Sequence, residues 1–337
     1  MGAVEYLRRY FPGFLTLVAG AAVAYATASV SPLLNPLVVA VAVGVVVGNT
    51  IGVPQWAAPG VDLRRLFLET GIVLLGASIA VSELLAAGPR LALLVCATVA
   101  FGVMLVELLG RVVFRLSGHL PSLLAAGSSI CGVSAVAAIG RVIGAKDSYL
   151  ALAAATVLLF DALTLVAFPI AGSALGLSSI EFGIWAGLSM FSTGPVAAAG
   201  FAHSPEAGQW ATITKLARNS LLGVVAIGYS AIYARKYADT TVSANDPSVA
   251  RLWSDFPKFL VGFILVAVIA NVGVLSPASI DSLGTVTDWL FILAFVGLGT
   301  SIQARTMRAA GATPILLVLV YLLCVSAISL VAVRLLF

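Results

Sequence analysis

Lys215 and Arg218 stand three residues apart in Thr212-Ile213-Thr214-Lys215-Leu216-Ala217-Arg218-Asn219. A helix there carries both cations on one face, with Thr212 and Asn219 near them. Asp161 lies in Thr156-Val157-Leu158-Leu159-Phe160-Asp161-Ala162-Leu163-Thr164, far from either end of an apolar run. Ionisable groups at membrane depth are costly and mark a pathway, an ion or a partner. Two fixed cations can balance a small anion. One buried carboxylate can pair with Lys215 or Arg218, or carry a proton. A second reading of the cations stays open: a span starting near Leu216 lets both side chains snorkel to an interface. Glu69 is a weaker candidate, and Asp288 and Glu107 read as interfacial.

Two apolar stretches add hydroxyls and backbone breaks. The first is Gly127-Ser128-Ser129-Ile130-Cys131-Gly132-Val133-Ser134-Ala135. Gly weakens a helix and Ser competes for its backbone bonds. A break here, with a half-helix starting near Gly132 or Ser134, would expose N–H groups and a positive dipole end to an anion. The other reading is close helix packing by small residues. The second stretch is Phe191-Ser192-Thr193-Gly194-Pro195-Val196. Pro195 fits the first turn of a helix, and Ser192, Thr193 and Gly194 suit its cap. An ordinary proline kink is the alternative. Together these stretches nominate Ser128, Ser129, Cys131, Gly132, Ser134, Ser192, Thr193 and Gly194, with Lys215 and Arg218, as anion-binding residues and Asp161 as a coupling residue. No enzyme signature, phosphate loop or metal-ligand spacing accompanies them. His119 and His203 flank apolar segments, and Cys96, Cys131 and Cys324 lie within them. No metal, cofactor or nucleic acid is expected; a coupling ion, sodium or proton, is.

The elements that must position these residues are membrane helices. The chain is 61% hydrophobic and 9% charged, with mean hydropathy +1.11. A soluble domain carries about 25% charge. The pattern implies one polytopic all-α membrane domain over 1–337. Eleven apolar segments can be marked, at roughly 11–30, 35–53, 65–84, 91–114, 121–141, 148–172, 179–199, 208–234, 256–275, 286–304 and 313–336. Arg8 and Arg9 precede the first, which runs too far for a signal peptide and reads as a retained span. Breaks are expected at Pro32 and Pro36, Pro54 and Pro59, Gly88-Pro89, Ser204-Pro205, Ser276-Pro277 and Gly311. The main polar connection is about 236–255.

Lys and Arg are retained on the cytoplasmic side. With the N-terminus inside, twelve of them fall inside, Arg8, Arg64, Arg111, Arg235 and Arg305 among them. Only Arg90, Arg141, Lys146 and Arg334 fall outside. The C-terminus is then outside, and the cell (plasma) membrane is the expected location. This orientation inverts an internal repeat. Leu75-Gly76-Ala77-Ser78-Ile79, with Ala86-Ala87-Gly88, recurs 223 positions later as Leu298-Gly299-Thr300-Ser301-Ile302, with Ala309-Ala310-Gly311. Inverted repeats are the mark of secondary transporters.

Three segments carry a family resemblance. Gly71-Ile72-Val73-Leu74-Leu75-Gly76, Ser129-Ile130-Cys131-Gly132-Val133-Ser134-Ala135-Val136-Ala137-Ala138, and Ala211-Thr212-Ile213-Thr214-Lys215-Leu216-Ala217-Arg218 resemble signature segments of the YeiH-type family, whose working label is sulfate exporter. That family is similar in plan to bile acid:sodium symporters and sodium–proton antiporters. The resemblance implies a panel bundle and a core bundle interleaved in sequence. It also implies two crossed, interrupted helices, broken within Ser128 to Ser134 and Ser192 to Gly200. One departure stands out: where many members have a His-Asp or His-Asn pair ahead of the Thr193-Gly194-Pro195-Val196 stretch, this chain has Met190, Phe191 and Ser192. The expected function is secondary transport of a small sulfate- or sulfonate-like anion by alternating access. The rivals are a sodium or proton antiporter using Asp161 and a non-transporting scaffold. The expected partners are the anion and the lipid bilayer, with a homodimer as a candidate assembly.

Overall fold

The structure, a computed structural model, describes residues 3–30, 35–79, 81–236, 258–307 and 311–337. Among the described residues every regular element is a helix. In chain order these are α1 (Ala3–Ser29), α2 (Pro36–Thr50), α3 (Ala58–Val61), α4 (Arg64–Leu75), α5 (Val81–Leu108), α6 (Leu120–Ala126), α7 (Val133–Val142), α8 (Asp147–Ala174), α9 (Ser179–Ser189), α10 (Thr193–His203), α11 (Pro205–Ser220), α12 (Leu222–Lys236), α13 (Lys258–Asn271), α14 (Pro277–Ser301), α15 (Ala304–Met307) and α16 (Ala312–Leu336). Among the described residues, five helical stretches are long and apolar enough to cross a bilayer: Arg8–Ser29, Gly88–Val113, Asp147–Ala174, Pro277–Ser301 and Ala312–Leu336. Leu93, Met104, Val166 and Leu323 on these helices point outward. Lipid tails solvate such side chains as well as a protein core does.

Helix ends follow local chemistry. Asn35 caps α2 by accepting the Leu37 N–H at 2.9 Å, with Pro36 in the first helical position. Ser276 caps α14 in the same way, ahead of Pro277. Ser178 and Glu181 form a reciprocal capping box on α9. Two expectations are corrected. Gly88-Pro89 does not break the chain, because α5 runs through it. The bend falls earlier, where Gly76–Ser78 form a 3-10 turn, the Ser78 hydroxyl donates to the Leu75 carbonyl and Ile79 is extended. The apolar segment 208–234 is two helices, because the Leu221 N–H turns back onto the Arg218 carbonyl at 3.1 Å. The segments 121–141 and 179–199 are two helices each, parted at the stretches where interruptions were expected. Beyond Lys236 the expected polar connection lies outside the described residues, as do Pro32 and the Arg308-Ala309-Ala310 part of the repeat.

The chain forms two compact units, each assembled from three separate segments. Unit 1 comprises Met1–Ala87, Ala197–Gln209 and Lys258–Arg305. In it α14 packs on α2 and α4, α13 on α4, and α1 on α2 and α3. Backbones touch where glycines meet. A Cβ on Gly44 or on Gly299 would strike the other's helix backbone, and one on Gly76 would strike the Phe263 carbonyl of α13. Small residues at such crossings let membrane helices approach closely. Unit 2 comprises Gly88–Val196, Trp210–Pro257 and Thr306–Phe337. In it α6, α7 and α8 pack on one another, α16 packs on α9 and α8, and α12 on α7.

Gly299→Ala is expected to lower the stability of the detergent-purified protein by about 1–3 kcal/mol through overpacking. Gly284→Ala, on the same helix with open space around it, is expected to be neutral or slightly stabilising. Thermal unfolding of the two variants side by side checks this contrast.

Candidate functional site

Both hydroxyl-rich stretches are broken helices in unit 2. α6 continues into a π-helical turn, Gly127–Cys131, and stops at Gly132, whose φ of 73° and ψ of −138° suit glycine alone. α7 then starts at Val133. A side chain on Gly132 would collide with the Ser192 hydroxyl. α9 ends at Ser189, Met190 is extended, and α10 starts at Thr193 with the Ser192 carbonyl accepting its first bond from the Val196 N–H. The two break points therefore meet at Gly132 and Ser192.

Each break leaves a carbonyl end that no helix continues, and one pair of cations receives both. Lys215 donates to the Ile130 carbonyl at 2.7 Å and the Met190 carbonyl at 3.0 Å. Arg218 donates to the carbonyls of Ser128 and Ser129 on the first arm, each at 3.1 Å. It also donates to those of Gly187, Leu188 and Met190 on the second arm, at 3.0, 2.7 and 2.8 Å. Both cations are fully buried, so the snorkelling reading is corrected. Their i,i+3 spacing on α11 aims them at the same place. A helix C-terminus carries about half a negative charge, so both ends attract the cations and work against the cost of burying them. The arms are held from outside as well. The Tyr321 hydroxyl donates to the Ser128 carbonyl at 3.1 Å. The Trp185 indole donates to the Ser326 carbonyl at 2.9 Å, and Ser189 bonds Ser329 at 2.8 Å.

The amino ends carry the opposite arrangement. Asp161, buried on α8, accepts the Ser192 N–H at 2.9 Å and the Ser192 hydroxyl at 2.5 Å, so its carboxylate sits at the head of α10. Among the described residues it forms no ion pair with Lys215 or Arg218. Asn219 donates to the Thr193 hydroxyl at 3.0 Å. The head of α7 has no side-chain cap, and Ser134 there is exposed. Ser128 and Ser129 are fully buried, and the Ser128 hydroxyl is spent on the Leu124 carbonyl at 2.7 Å. Cys131 is buried at the end of the π turn. Thr193 is half-buried in the first turn of α10, followed by Gly194. Thus Gly132, Ser192, Thr193 and Asp161 gather at amino ends, whereas Lys215 and Arg218 gather at carboxyl ends. Among the described residues the buried ionisable side chains here are two bases, Lys215 and Arg218, and one acid, Asp161.

One cluster in unit 2 was not anticipated. Glu107 accepts from Ser122 at 2.5 Å, Tyr229 at 2.9 Å and Arg111 at 2.6 Å. Arg111 also donates to Ser122 at 3.0 Å and Tyr233 at 3.1 Å. Glu107 is therefore a packed partner of α6 and α12, not a free interfacial carboxylate. The i,i+4 spacing of Glu107 and Arg111 was a visible signal, but their partners 11 to 122 positions away were not. Glu69 pairs at the surface with Arg65 at 2.7 Å.

Arg218→Met strands five carbonyl bonds in the interior, and a loss of about 3 kcal/mol or more is expected. Lys215→Met strands two and should lose less. Thermal unfolding of purified variants gives the order, and equal losses would contradict it.

Comparison with known proteins places the chain among membrane proteins. A family model described as "Conserved hypothetical protein 698" matches residues 12–318. A UPF0324 membrane protein of Nitratidesulfovibrio vulgaris is 33% identical over 267 residues, covering 78% of this chain and 73% of its own. UPF0324 membrane protein TauZ of Paracoccus denitrificans is 32% identical over 270 residues, covering 78% and 77%. One from Clostridium tetani is 29% identical over 259 residues, covering 73% of each. No solved structure matches. Spanned by that model and a third identical to such relatives, the chain belongs to the UPF0324 family of multi-pass membrane proteins, the family to which the YeiH-type segments pointed.

Proposed function

We propose that the protein is a secondary transporter of a small oxyanion, sulfate- or sulfonate-like, working by alternating access. The observation that supports the reading is the meeting of two helix amino ends at Gly132 and Ser192, beside two buried basic side chains. Gly132, Val133 and Ser134 at the head of α7, with Thr193 and Gly194 at the head of α10, would hold the anion through N–H groups and hydroxyls, Ser192 serving only if Asp161 releases it. Lys215 and Arg218 would act at one remove. By fixing the carbonyl ends they would hold both amino ends in register and supply the balancing charge through space.

Eleven crossings with the N-terminus cytoplasmic and the C-terminus outside remain part of this proposal, as do a plasma-membrane location and inverted repeats. Unit 1 would serve as the panel and unit 2 as the core, with the two segment sets interleaved in sequence. One observation favours a second reading, a sodium- or proton-coupled carrier. Asp161 occupies the head of α10 with a carboxylate, the group such a carrier would load.

A ligand that binds the folded state raises its melting point, by about 2.7 kcal/mol of stabilisation at one hundred times its dissociation constant. Thermal shifts of the purified protein with sulfate, sulfonates, carboxylates and monovalent cations separate the readings. Stabilisation by an oxyanion, with flux of that anion in proteoliposomes, is the expected outcome. Stabilisation by sodium alone, lost in Asp161→Asn, would replace it with the second reading.

A further inference from the structure

Inside unit 1 the repeat extends beyond the residues that first revealed it. Ile79 and Ile302 are the first residues after their helices end, with φ of −96° and −80°; Ile79 is extended at ψ 128°, and Ile302 turns more tightly at ψ 83°. In each copy the preceding serine closes the helix end, Ser78 onto the Leu75 carbonyl at 2.9 Å and Ser301 onto the Leu298 carbonyl at 2.6 Å. In each copy an asparagine from another helix holds the bend. Asn271, at the end of α13, donates to the Ile79 carbonyl at 2.8 Å and to its own helix at Ala267, also at 2.8 Å. Asn49, near the end of α2, donates to the Ile302 carbonyl at 2.7 Å and to its own helix at Val45 at 2.8 Å. It also accepts the Ala304 N–H at 2.9 Å.

The glycine contacts obey the same exchange. Gly76 of the first copy lies on Phe263 and Ala267 of α13, and Gly299 of the second lies on Val41 and Val45 of α2. Val41, Val45 and Asn49 correspond to Phe263, Ala267 and Asn271 at one common offset, one residue short of that between Gly76 and Gly299. Each asparagine thus holds the bend of the other copy. The chain passes from unit 1 to unit 2 after Ala87 and after Arg305, shortly beyond each bend.

We infer that residues 36–79 and 258–302 are two exchanged copies of one helix–bend element, and that Asn49 and Asn271 are equivalent positioning residues fixing the bends that precede two of the three points where the chain leaves unit 1. This rests on the transporter reading. If the copies are inverted, a protein that alternates between two faces uses the two bends reciprocally. Releasing one latch then favours one face, and releasing the other favours the opposite face.

The test uses the full chain in sealed vesicles of known orientation. Cys96, Cys131 and Cys324 are replaced by alanine, and a reporter is introduced by Ser134→Cys at the exposed head of α7. The rate of labelling by a membrane-impermeant maleimide is measured from each side. Asn49→Ala and Asn271→Ala are expected to shift the inside-to-outside ratio by about fivefold, the weight of one hydrogen bond, in opposite directions. The double variant is expected to return near the parent ratio. A shift in the same direction for both, or no shift in either, overturns the inference. Should an alanine variant fail to purify, the milder Asn49→Ser and Asn271→Ser give the same readout. Anion flux through the unsubstituted protein, measured in parallel, is the separate check on the transporter reading: its absence overturns that reading whatever the ratios do.

Discussion

The bonds from Lys215 and Arg218 to six backbone carbonyls are the interaction on which unit 2 depends. Breaking a helix inside a bilayer leaves carbonyls that no water can reach, each costing several kcal/mol if left alone. A buried ammonium or guanidinium is costly for the same reason. Each problem answers the other here. Arginine suits the larger share, because its planar fork offers five donors in fixed directions and reaches both arms at once. Lysine, a compact point charge, bridges Ile130 and Met190.

The same arrangement separates the two kinds of helix end. The cations hold the carbonyl ends, and the amino ends of α7 and α10 lie apart from those bonds. Asp161 sits at one of those ends, on Ser192, and the other is capped by no side chain. The two amino ends meet at Gly132 and Ser192. The glycine at 132 belongs to this logic twice. Its backbone angles turn the chain, and its missing side chain leaves room for the Ser192 hydroxyl.

Unit 1 rests on a different constraint, the close approach of helix backbones. Gly44 against Gly299, and Gly76 against α13, bring the helices near enough for Asn49 and Asn271 to reach a neighbouring carbonyl. Dispersion between such helices has no hydrophobic drive behind it in lipid. Close contact and side-chain hydrogen bonds therefore carry more of the stability than they would in water.

Composition alone determined that the protein lives in a membrane, because 9% charge leaves too few polar groups to cover a surface in water. Local chemistry in the sequence located both helix breaks, since Gly132 and the Ser192-to-Pro195 stretch disfavour continuous helix through short-range effects. It also singled out Lys215, Arg218 and Asp161, because charge is rare and expensive at that depth. What these residues touch was decided by tertiary structure. Lys215 and Arg218 meet carbonyls 25 to 90 positions away in the chain, and Asp161 meets Ser192 across 31. Hydrogen bonds at that separation leave no periodic trace in a sequence, because any polar residue on the right face would look the same. The break at Leu221, the continuity of α5 through Pro89, and the partners of Glu107 and Asn271 were hidden for that reason.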